Sequence, residues 1–236
     1  MGDEDEGAQT CKVVLLGESG VGKTCIIARF INNTFEENLI STTGASYAGK
    51  TMTFDEFGGK SIKFEIWDTA GQEKYRSLTK IFYKDAGVAI LVYDISRKES
   101  FEEIRNYWYY QIKEYAPKNI CKSNKWIKII FSKNIVIGLA ANKSDLIDKE
   151  EVPEGEARQF AQDIGAIFKL TSASNGSGIE DMFKSIGCKY LDPNYKDDDE
   201  VFDNSSGNQS SSGASRTMKL DASKVHEAND KKGCCK

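Results

Sequence analysis

Apolar runs alternate with amphipathic stretches through most of the chain. Six runs predict strands, and three of them are almost continuously apolar, as in strands that are covered on both faces: residues 11–17, 46–57, 61–68, 86–95, 135–143 and Ile167–Leu170. Stretches with one apolar face predict helices at residues 21–31, 100–115, Glu154–Ile164 and 178–191. Gly58-Gly59 predicts a hairpin between the second and third strands. The pattern therefore predicts an α/β fold with a mainly parallel six-stranded sheet, helices on both faces and one antiparallel hairpin strand.

One helix has a recognisable start signal. Ser100 is followed three residues later by Glu103, which is the spacing of a capping box. In such a box the serine side chain accepts a hydrogen bond from the first turn, and the glutamate reaches back to the serine amide. We therefore predict that this helix begins at Ser100.

Composition separates a core-forming part of the chain from two polar ends. Hydrophobic residues make up 39% and charged residues 29% of the chain, which is ordinary for a folded globular domain. We predict a disordered N-terminus over residues 1–9, one domain over residues 10–191, and a disordered tail over residues 192–236 that is acidic and then rich in Ser, Gly and Asn. No apolar run approaches the roughly 18 residues that a transmembrane helix needs.

Charge and reactive side chains exclude several function classes. The formal net charge of −4 gives no reason to expect nucleic acid as a partner. The six cysteines show no C-x-x-C pair, so we expect reduced thiols in the cytosol. The single histidine, His226, lies in the polar tail, which argues against a Ser-His-Asp or Cys-His hydrolase.

A phosphate-binding loop is predicted at residues 17–24, GESGVGKT, which fill every fixed position of G-x-x-x-x-G-K-[ST] between a strand and a helix. Glycines let such a loop curl so that backbone N–H groups point at phosphate oxygens, helped by the helix N-terminus. Lys23 is predicted to reach the β- and γ-phosphates and Thr24 to bind Mg²⁺. The predicted nucleotide-binding residues of this loop are Ser19, Gly20, Val21, Gly22, Lys23, Thr24 and Cys25.

The segment Asn142-Lys143-Ser144-Asp145 predicts which base is bound. An aspartate carboxylate can accept hydrogen bonds from the N1–H and 2-amino groups of guanine, and adenine has neither donor there. A buried carboxylate left without these partners would be costly, so ATP should be rejected. N-K-x-D has only three fixed letters, but here it follows a buried strand in the expected order after the phosphate loop. A P-loop ATPase or nucleoside kinase is the disfavoured alternative.

With these motifs the chain resembles the Ras superfamily, and within it the Rab family of small GTPases, over about residues 10–191. Further strings carry the resemblance: KFEIWDTAGQEKYRSL at residues 63–78, IFYKDAGVAILVYDI at residues 81–95 and TSAS at residues 171–174. GASY at residues 44–47, together with KFEIWDTAGQEKYRSL, looks most like the early-endosomal branch. The resemblance implies a Ras-like P-loop NTPase fold, with GTP or GDP and Mg²⁺ as ligands.

The resemblance also implies roles around the γ-phosphate. Asp68 would hold Mg²⁺ through a water molecule, and Thr42 would be a further Mg²⁺ ligand. Gln72 would orient the attacking water and would be catalytic together with Lys23, while the Gly71 amide would touch the γ-phosphate. We expect slow intrinsic hydrolysis, since no arginine is clearly placed to act in cis, so an activating partner would supply one or another charge-stabilising group.

Around the base, the resemblance implies that Phe35 covers the guanine edge. Ser172 and Ala173 belong to the guanine loop, where the Ala173 amide would bond the guanine oxygen. Two positions depart from the family pattern, Thr43 after the switch threonine and Ser174 in place of a lysine. Effectors would read an aromatic trio: Tyr47, Trp67 and Phe82.

The same resemblance implies partners and a membrane anchor. We expect an exchange factor, a GTPase-activating protein, a GDP-dissociation inhibitor and effectors, acting on a monomer. Cys234 and Cys235 resemble a double prenylation site, which predicts a switch in vesicle traffic that moves between the cytosol and the cytoplasmic face of endosomal or other endomembranes. Open alternatives are a Rab of the secretory pathway and a GTP-binding scaffold that never cycles. Residues 120–134 are an insertion relative to the family, or an error in the gene sequence.

Overall fold

A computed structural model describes residues 7–37, 46–68, 85–115 and 135–197. Within these ranges six strands form one sheet in the order β2-β3-β1-β4-β5-β6. The strands are β1 (Gln9–Leu16), β2 (Ser46–Phe54), β3 (Lys60–Asp68), β4 (Val88–Asp94), β5 (Val136–Asn142) and β6 (Ile167–Leu170). β2 is antiparallel to β3, and all other neighbours are parallel. The predicted fold class is confirmed.

The described helices are α1 (Lys23–Asn32), α2 (Lys98–Glu103), α3 (Tyr109–Tyr115), α4 (Glu154–Ile164) and α5 (Ile179–Leu191). A π-helical turn, Ile104–Trp108, joins α2 to α3, and short 3₁₀ turns occupy Asp55–Phe57 and Ser144–Lys149. α4 and β6 have the predicted bounds. None of the described helices is long and apolar enough to cross a bilayer.

The predicted capping box at Ser100 is wrong. α2 begins at Lys98, with Arg97 as its N-cap residue, and Ser100 lies inside the first turn. The buried Ser100 hydroxyl donates to the Arg97 carbonyl at 2.7 Å and accepts from the Asp94 amide at 3.0 Å. The hydroxyl therefore stabilises the turn after β4 and does not cap the helix. α2 starts two residues earlier than the capping-box motif predicts.

Both faces of the sheet are covered by helices, because successive side chains of a strand point to opposite faces. In β1, Val13 and Leu15 face the layer of α1 and α5, whereas Val14 and Leu16 face the layer that contains α2, α3 and α4. In the first layer Phe30 of α1 stacks on Phe183 of α5, with ring centroids 3.7 Å apart. This packing fixes α1, which carries the phosphate-loop lysine, relative to the sheet.

The described chain continues beyond the predicted domain boundary at residue 191. Lys189 donates from Nζ to the Tyr195 carbonyl at 2.6 Å, and the buried Asp197 forms an ion pair with Lys169 of β6 at 3.0 Å. Residues 192–197, predicted to belong to the tail, therefore pack against the domain because two lysines hold them. At the other end β1 begins at Gln9, inside the predicted N-terminal segment. Residues 198–236, with Cys234 and Cys235, and residues 120–134 lie outside the described residues.

Candidate nucleotide-binding site

The predicted site residues follow the carboxyl ends of the parallel strands. The phosphate loop follows β1, Asp68 ends β3, Asp94 ends β4, Asn142 ends β5 and the guanine loop follows β6. Carboxyl ends of neighbouring parallel strands meet at one edge of an open sheet, where such folds bind ligands. The fold therefore brings motifs that are far apart in sequence to one edge.

The phosphate loop is shaped by backbone rather than by side chains. Gly22 has a φ of +95°, a conformation that residues with a Cβ rarely adopt. A Cβ on Gly22 would lie 2.4 Å from Asn142 Nδ2, and one on Gly17 would lie 2.1 Å from the Val92 carbonyl oxygen. The loop is thus pressed against the ends of β4 and β5, and this tight curl fits a cradle for phosphate oxygens.

Lys23 is held beneath this loop at the start of α1. Its side chain is buried, and Nζ donates to the carbonyl oxygens of Gly17 at 2.9 Å and Glu18 at 2.7 Å. Burial lowers the pKa of Lys23 to about 8, although the negative charges of Asp68 and Glu18 oppose the shift. The site therefore holds a cation that is poorly solvated, which favours the approach of an anionic group.

Thr24 and Asp68 form an oxygen-rich pair next to Lys23. Thr24 Oγ1 donates to Asp68 Oδ2 at 2.6 Å, and Asp68 is buried at the end of β3. Hydroxyl and carboxylate oxygens are the ligands that Mg²⁺ prefers, so this donor set fits that ion. Three other residues predicted around the γ-phosphate lie outside the described residues: Thr42, Gly71 and Gln72.

Asn142 joins the phosphate loop to the guanine loop. Its Nδ2 donates to the Val21 carbonyl at 2.7 Å. Its Oδ1 accepts from Thr171 Oγ1 and from the Ala173 amide, each at 3.3 Å. The side chain is fully buried, so its polar atoms are spent on holding two loops together.

Asp145 was predicted to be a buried carboxylate, but its side chain is exposed, in the surface turn Ser144–Lys149. One carboxylate oxygen of Asp145 accepts a hydrogen bond from the buried Ser172 hydroxyl, which orients the carboxylate.

Lys143 forms an ion pair with Asp94 at the end of β4. Lys143 has a φ of +64°, and its Nζ lies 2.7 Å from Asp94 Oδ2. Burial raises the pKa of Asp94, but hydrogen bonds from Lys143 and Ser96 outweigh it and leave the pKa below its ordinary value.

Comparison with known proteins agrees with this geometry. A sequence model of the Ras family matches residues 12–192. Ras-related protein Rab-31 of Homo sapiens is 40% identical over 184 residues, covering 77% of this chain and 85% of the relative. Rab-31 of Mus musculus is 41% identical and Rab-22A of Homo sapiens 40% identical, each over 175 residues, 74% of this chain and 80% of the relative.

The chain belongs to the Rab family of Ras-related GTPases. The predicted family is confirmed, and the similarity to Rab-31 and Rab-22A favours the predicted early-endosomal branch. As a member of this family the protein binds GTP and GDP with Mg²⁺ and hydrolyses GTP. Exchange factors, activating proteins, GDP-dissociation inhibitors and effectors are the partner classes of this family.

Arg29 is a residue of this Rab GTPase that sequence reasoning missed. From the last turns of α1 it donates through Nε to the Ala173 carbonyl at 2.9 Å and through Nη2 to the Ser174 carbonyl at 2.7 Å. Its Nη1 also donates to the Asn33 carbonyl at 3.1 Å. The guanine loop is therefore fastened to α1 by one guanidinium. No motif contains Arg29, so only the folded arrangement of α1 beside the loop could identify it.

The remaining predicted residues are partly described. Phe35 is half-buried and packs against the core layer of α1 and α5. Cys25 is half-buried in α1, and burial raises the pKa of its thiol. Tyr47 is 53% exposed and contacts Trp67 edge-on, with ring centroids 5.6 Å apart. These two aromatics of the Rab form an adjoining surface pair, whereas Phe82 lies outside the described residues.

Proposed function

We propose that this Rab GTPase is a prenylated switch of endocytic traffic, with the nucleotide held between the phosphate loop and the guanine loop. The observation that supports this site best is the group of the buried Lys23 and the hydrogen-bonded pair of Thr24 and Asp68 at the end of β3. A buried cation beside two oxygen donors is the combination that a nucleotide phosphate with its metal ion needs.

On the phosphate side, backbone amides of residues 19–25 hold the phosphate oxygens, and Lys23 moves from its carbonyl partners to the β- and γ-phosphates. Bound Mg²⁺ supplies positive charge that offsets charge on the phosphoryl oxygens. Thr24, Thr42 and Asp68 are the residues that would hold this ion, Asp68 through a water molecule. Gln72 orients the attacking water, and the Gly71 amide holds the γ-phosphate; both roles rest on the family resemblance.

On the base side, Asp145 accepts from the N1–H and 2-amino groups of guanine, with Ser172 keeping its carboxylate in position. The Ala173 amide donates to the guanine oxygen. The Ala173 amide now donates to Asn142 Oδ1 over a long distance of 3.3 Å. Replacing this weak hydrogen bond with one to the guanine oxygen therefore costs little. Phe35 covers one edge of the base, and the Lys143 stem packs beside it.

The Rab GTPase acts as a two-state monomer. GTP holds the segments that contain Thr42 and Gln72 in one arrangement, and hydrolysis releases them. Effectors read the GTP-bound arrangement through Tyr47, Trp67 and Phe82. The exposed Tyr47 beside Trp67 supports this surface, because aromatic side chains are enriched at protein interfaces.

Two prenyl groups on Cys234 and Cys235 anchor the GTPase on the cytoplasmic face of endosomal membranes, and the soluble pool lies in the cytosol. The similarity to Rab-31 and Rab-22A supports an endocytic rather than a secretory membrane. Two lipid chains are needed because one gives only marginal binding.

Single-turnover hydrolysis of GTP by the full chain tests the switch. The wild type should convert bound GTP to GDP slowly, and Gln72→Leu should hydrolyse it at least about tenfold more slowly, because the attacking water loses its orienting group. Equal rates would contradict the role of Gln72, and no conversion by the wild type would favour a non-cycling scaffold. Imaging of the tagged chain and its Cys234→Ser/Cys235→Ser variant against endosomal and Golgi markers tests the membrane.

A further inference from the structure

An arginine guanidinium lies directly against the phosphate loop. Arg97, the residue just before α2, donates from Nη2 to Glu18 Oε2 and to the Ser19 carbonyl oxygen, each at 3.1 Å. A Cβ on Gly20 would lie 3.7 Å from Arg97 Nη1. The guanidinium therefore lies next to three consecutive residues of the phosphate loop, Glu18, Ser19 and Gly20.

The turn that carries Arg97 is itself firmly held. The Arg97 amide donates to the Asp94 carbonyl at 3.0 Å, and Ser96 donates to Asp94 Oδ1 from its hydroxyl at 2.7 Å and its amide at 3.0 Å. The other oxygen of Asp94 holds Lys143. One short connection after β4 thus reaches the phosphate loop through Arg97 and the guanine motif through Asp94.

Charges alternate along this part of the loop. Lys23 Nζ bonds the Glu18 carbonyl, and the Glu18 carboxylate pairs with Arg97. Glu18 thereby compensates the guanidinium, whose side chain is 37% exposed. Arg97 Nε is buried and makes no hydrogen bond within the part of the chain that the structure describes. The Arg97 guanidinium is paired with Glu18, and the Arg97 backbone is held in the turn after β4. Arg97 therefore restrains the part of the phosphate loop that it contacts.

We propose that Arg97 is a positioning residue that holds the turn of Glu18, Ser19 and Gly20 in the shape that binds phosphate, and so slows nucleotide release. It acts through the loop backbone and not by touching the nucleotide. The inference rests on the proposed phosphate role of this loop. Its effect should be specific for the part of the nucleotide that this turn holds, the β-phosphate and beyond.

The first test compares GDP release from the full-length wild type and from Arg97→Ala, followed with a fluorescent GDP derivative. Loss of two charge-assisted hydrogen bonds, discounted for partial exposure, should speed release by about tenfold. Arg105→Ala is a matched control, since Arg105 makes a 2.9 Å ion pair with Glu156 of similar exposure on α4, away from the loop. It should leave release unchanged within about twofold. Equal acceleration in both variants would overturn the proposal.

The second test separates positioning from general loosening. Competition against fluorescent GDP gives the affinities for GDP and GMP, and Arg97→Ala should weaken GDP binding more than GMP binding. An equal loss for both would indicate a merely structural role and would overturn the proposal. Arg97→Lys keeps the charge but not the fork, so its release rate should fall between those of the wild type and Arg97→Ala.

Glu18→Gln and the double variant complete the design. Glu18→Gln should speed release less than Arg97→Ala, because the Ser19 contact remains, and the double variant should add little to Arg97→Ala. Independent, additive effects would count against a common restraint. If Arg97→Ala does not fold, as judged by its melting temperature, Arg97→Lys and Glu18→Gln carry the same comparison. A wild type that binds no GDP would instead overturn the phosphate site itself, and this inference with it.

Discussion

The phosphate side and the base side of the site are built in different ways. On the phosphate side, glycines with positive φ press the backbone against β4 and β5, and added atoms would collide. On the base side, side chains from distant elements meet: Asn142 and Arg29 hold the guanine loop by hydrogen bonds, and Ser172 of this loop orients Asp145. A backbone cradle depends on space, so a single methyl group should damage it. A side-chain network depends on donors and acceptors, so it should respond to changes of polarity.

The largest effect is expected from filling the cradle. Gly22→Ala would combine a φ of +95° with a Cβ 2.4 Å from Asn142 Nδ2. Strain and collision should weaken GDP binding by about a hundredfold or more, measured by titration with fluorescent GDP. Gly59→Ala is the control, because Gly59 has a φ of +76° with no atom within 4 Å of an added Cβ. Similar losses in both variants would mean that strain alone, and not the cradle, is responsible.

A polarity change should redirect the base side. Asp145→Asn replaces an acceptor with a donor opposite the N1–H and 2-amino groups of guanine, which should cost about a hundredfold in GDP affinity. Xanthine carries an oxygen at position 2, so XDP should bind the variant more tightly than GDP does. Competition between GDP and XDP measures this ratio. An unchanged preference for GDP would show that Asp145 does not read the base.

A smaller effect is expected at the support of the guanine loop. Arg29→Ala leaves the Ala173 and Ser174 carbonyls without their guanidinium donor and should speed GDP release by about tenfold. Arg29→Lys retains the charge but cannot span both carbonyls, so it should recover only part of the loss. Stopped-flow measurement of GDP release should give the slowest rate for the wild type, an intermediate rate for Arg29→Lys and the fastest rate for Arg29→Ala. Equal rates would show that the guanine loop keeps its shape without Arg29.

The smallest effect concerns the stability of the nucleotide-free protein. Burial lowers the pKa of Lys23 to about 8, so between this pH and the ordinary lysine pKa of 10.5 the unfolded chain binds the extra proton. Stability should therefore rise as pH increases through that window. Lys23→Met removes the buried charge and should stabilise the nucleotide-free protein by about 1 kcal/mol at pH 7. Thermal melts in EDTA at several pH values, with Lys60→Met as an exposed control, measure the difference.

The gain from Lys23→Met should shrink as pH rises from about 8 toward 10.5, because the folded lysine is then mostly neutral and the unfolded chain progressively loses its proton as well. A gain that stays constant with pH would indicate that packing, and not charge, is the cause. A loss at every pH would mean that the bonds from Nζ to Gly17 and Glu18 outweigh the burial of its charge.

Sequence patterns predicted what is local in the chain. The phosphate loop and the N-K-x-D segment are contiguous, and the apolar runs on either side predicted the strands that carry them. Arg29 and Arg97 could not be predicted, because each is an isolated arginine that becomes relevant only when α1 or the turn after β4 lies beside a loop. Ser100 misled for the same reason: its hydroxyl is used by the turn of Asp94 and not by the helix.

The single amide of Asn142 has a consequence for how a bound nucleotide leaves. Because this side chain donates to the Val21 carbonyl and accepts from the Thr171 hydroxyl, displacing either loop strains its contact with the other. We therefore expect the phosphates and the base of the nucleotide to dissociate together rather than one after the other. We therefore expect that an exchange factor that displaces either loop would weaken the contacts at both ends of the nucleotide.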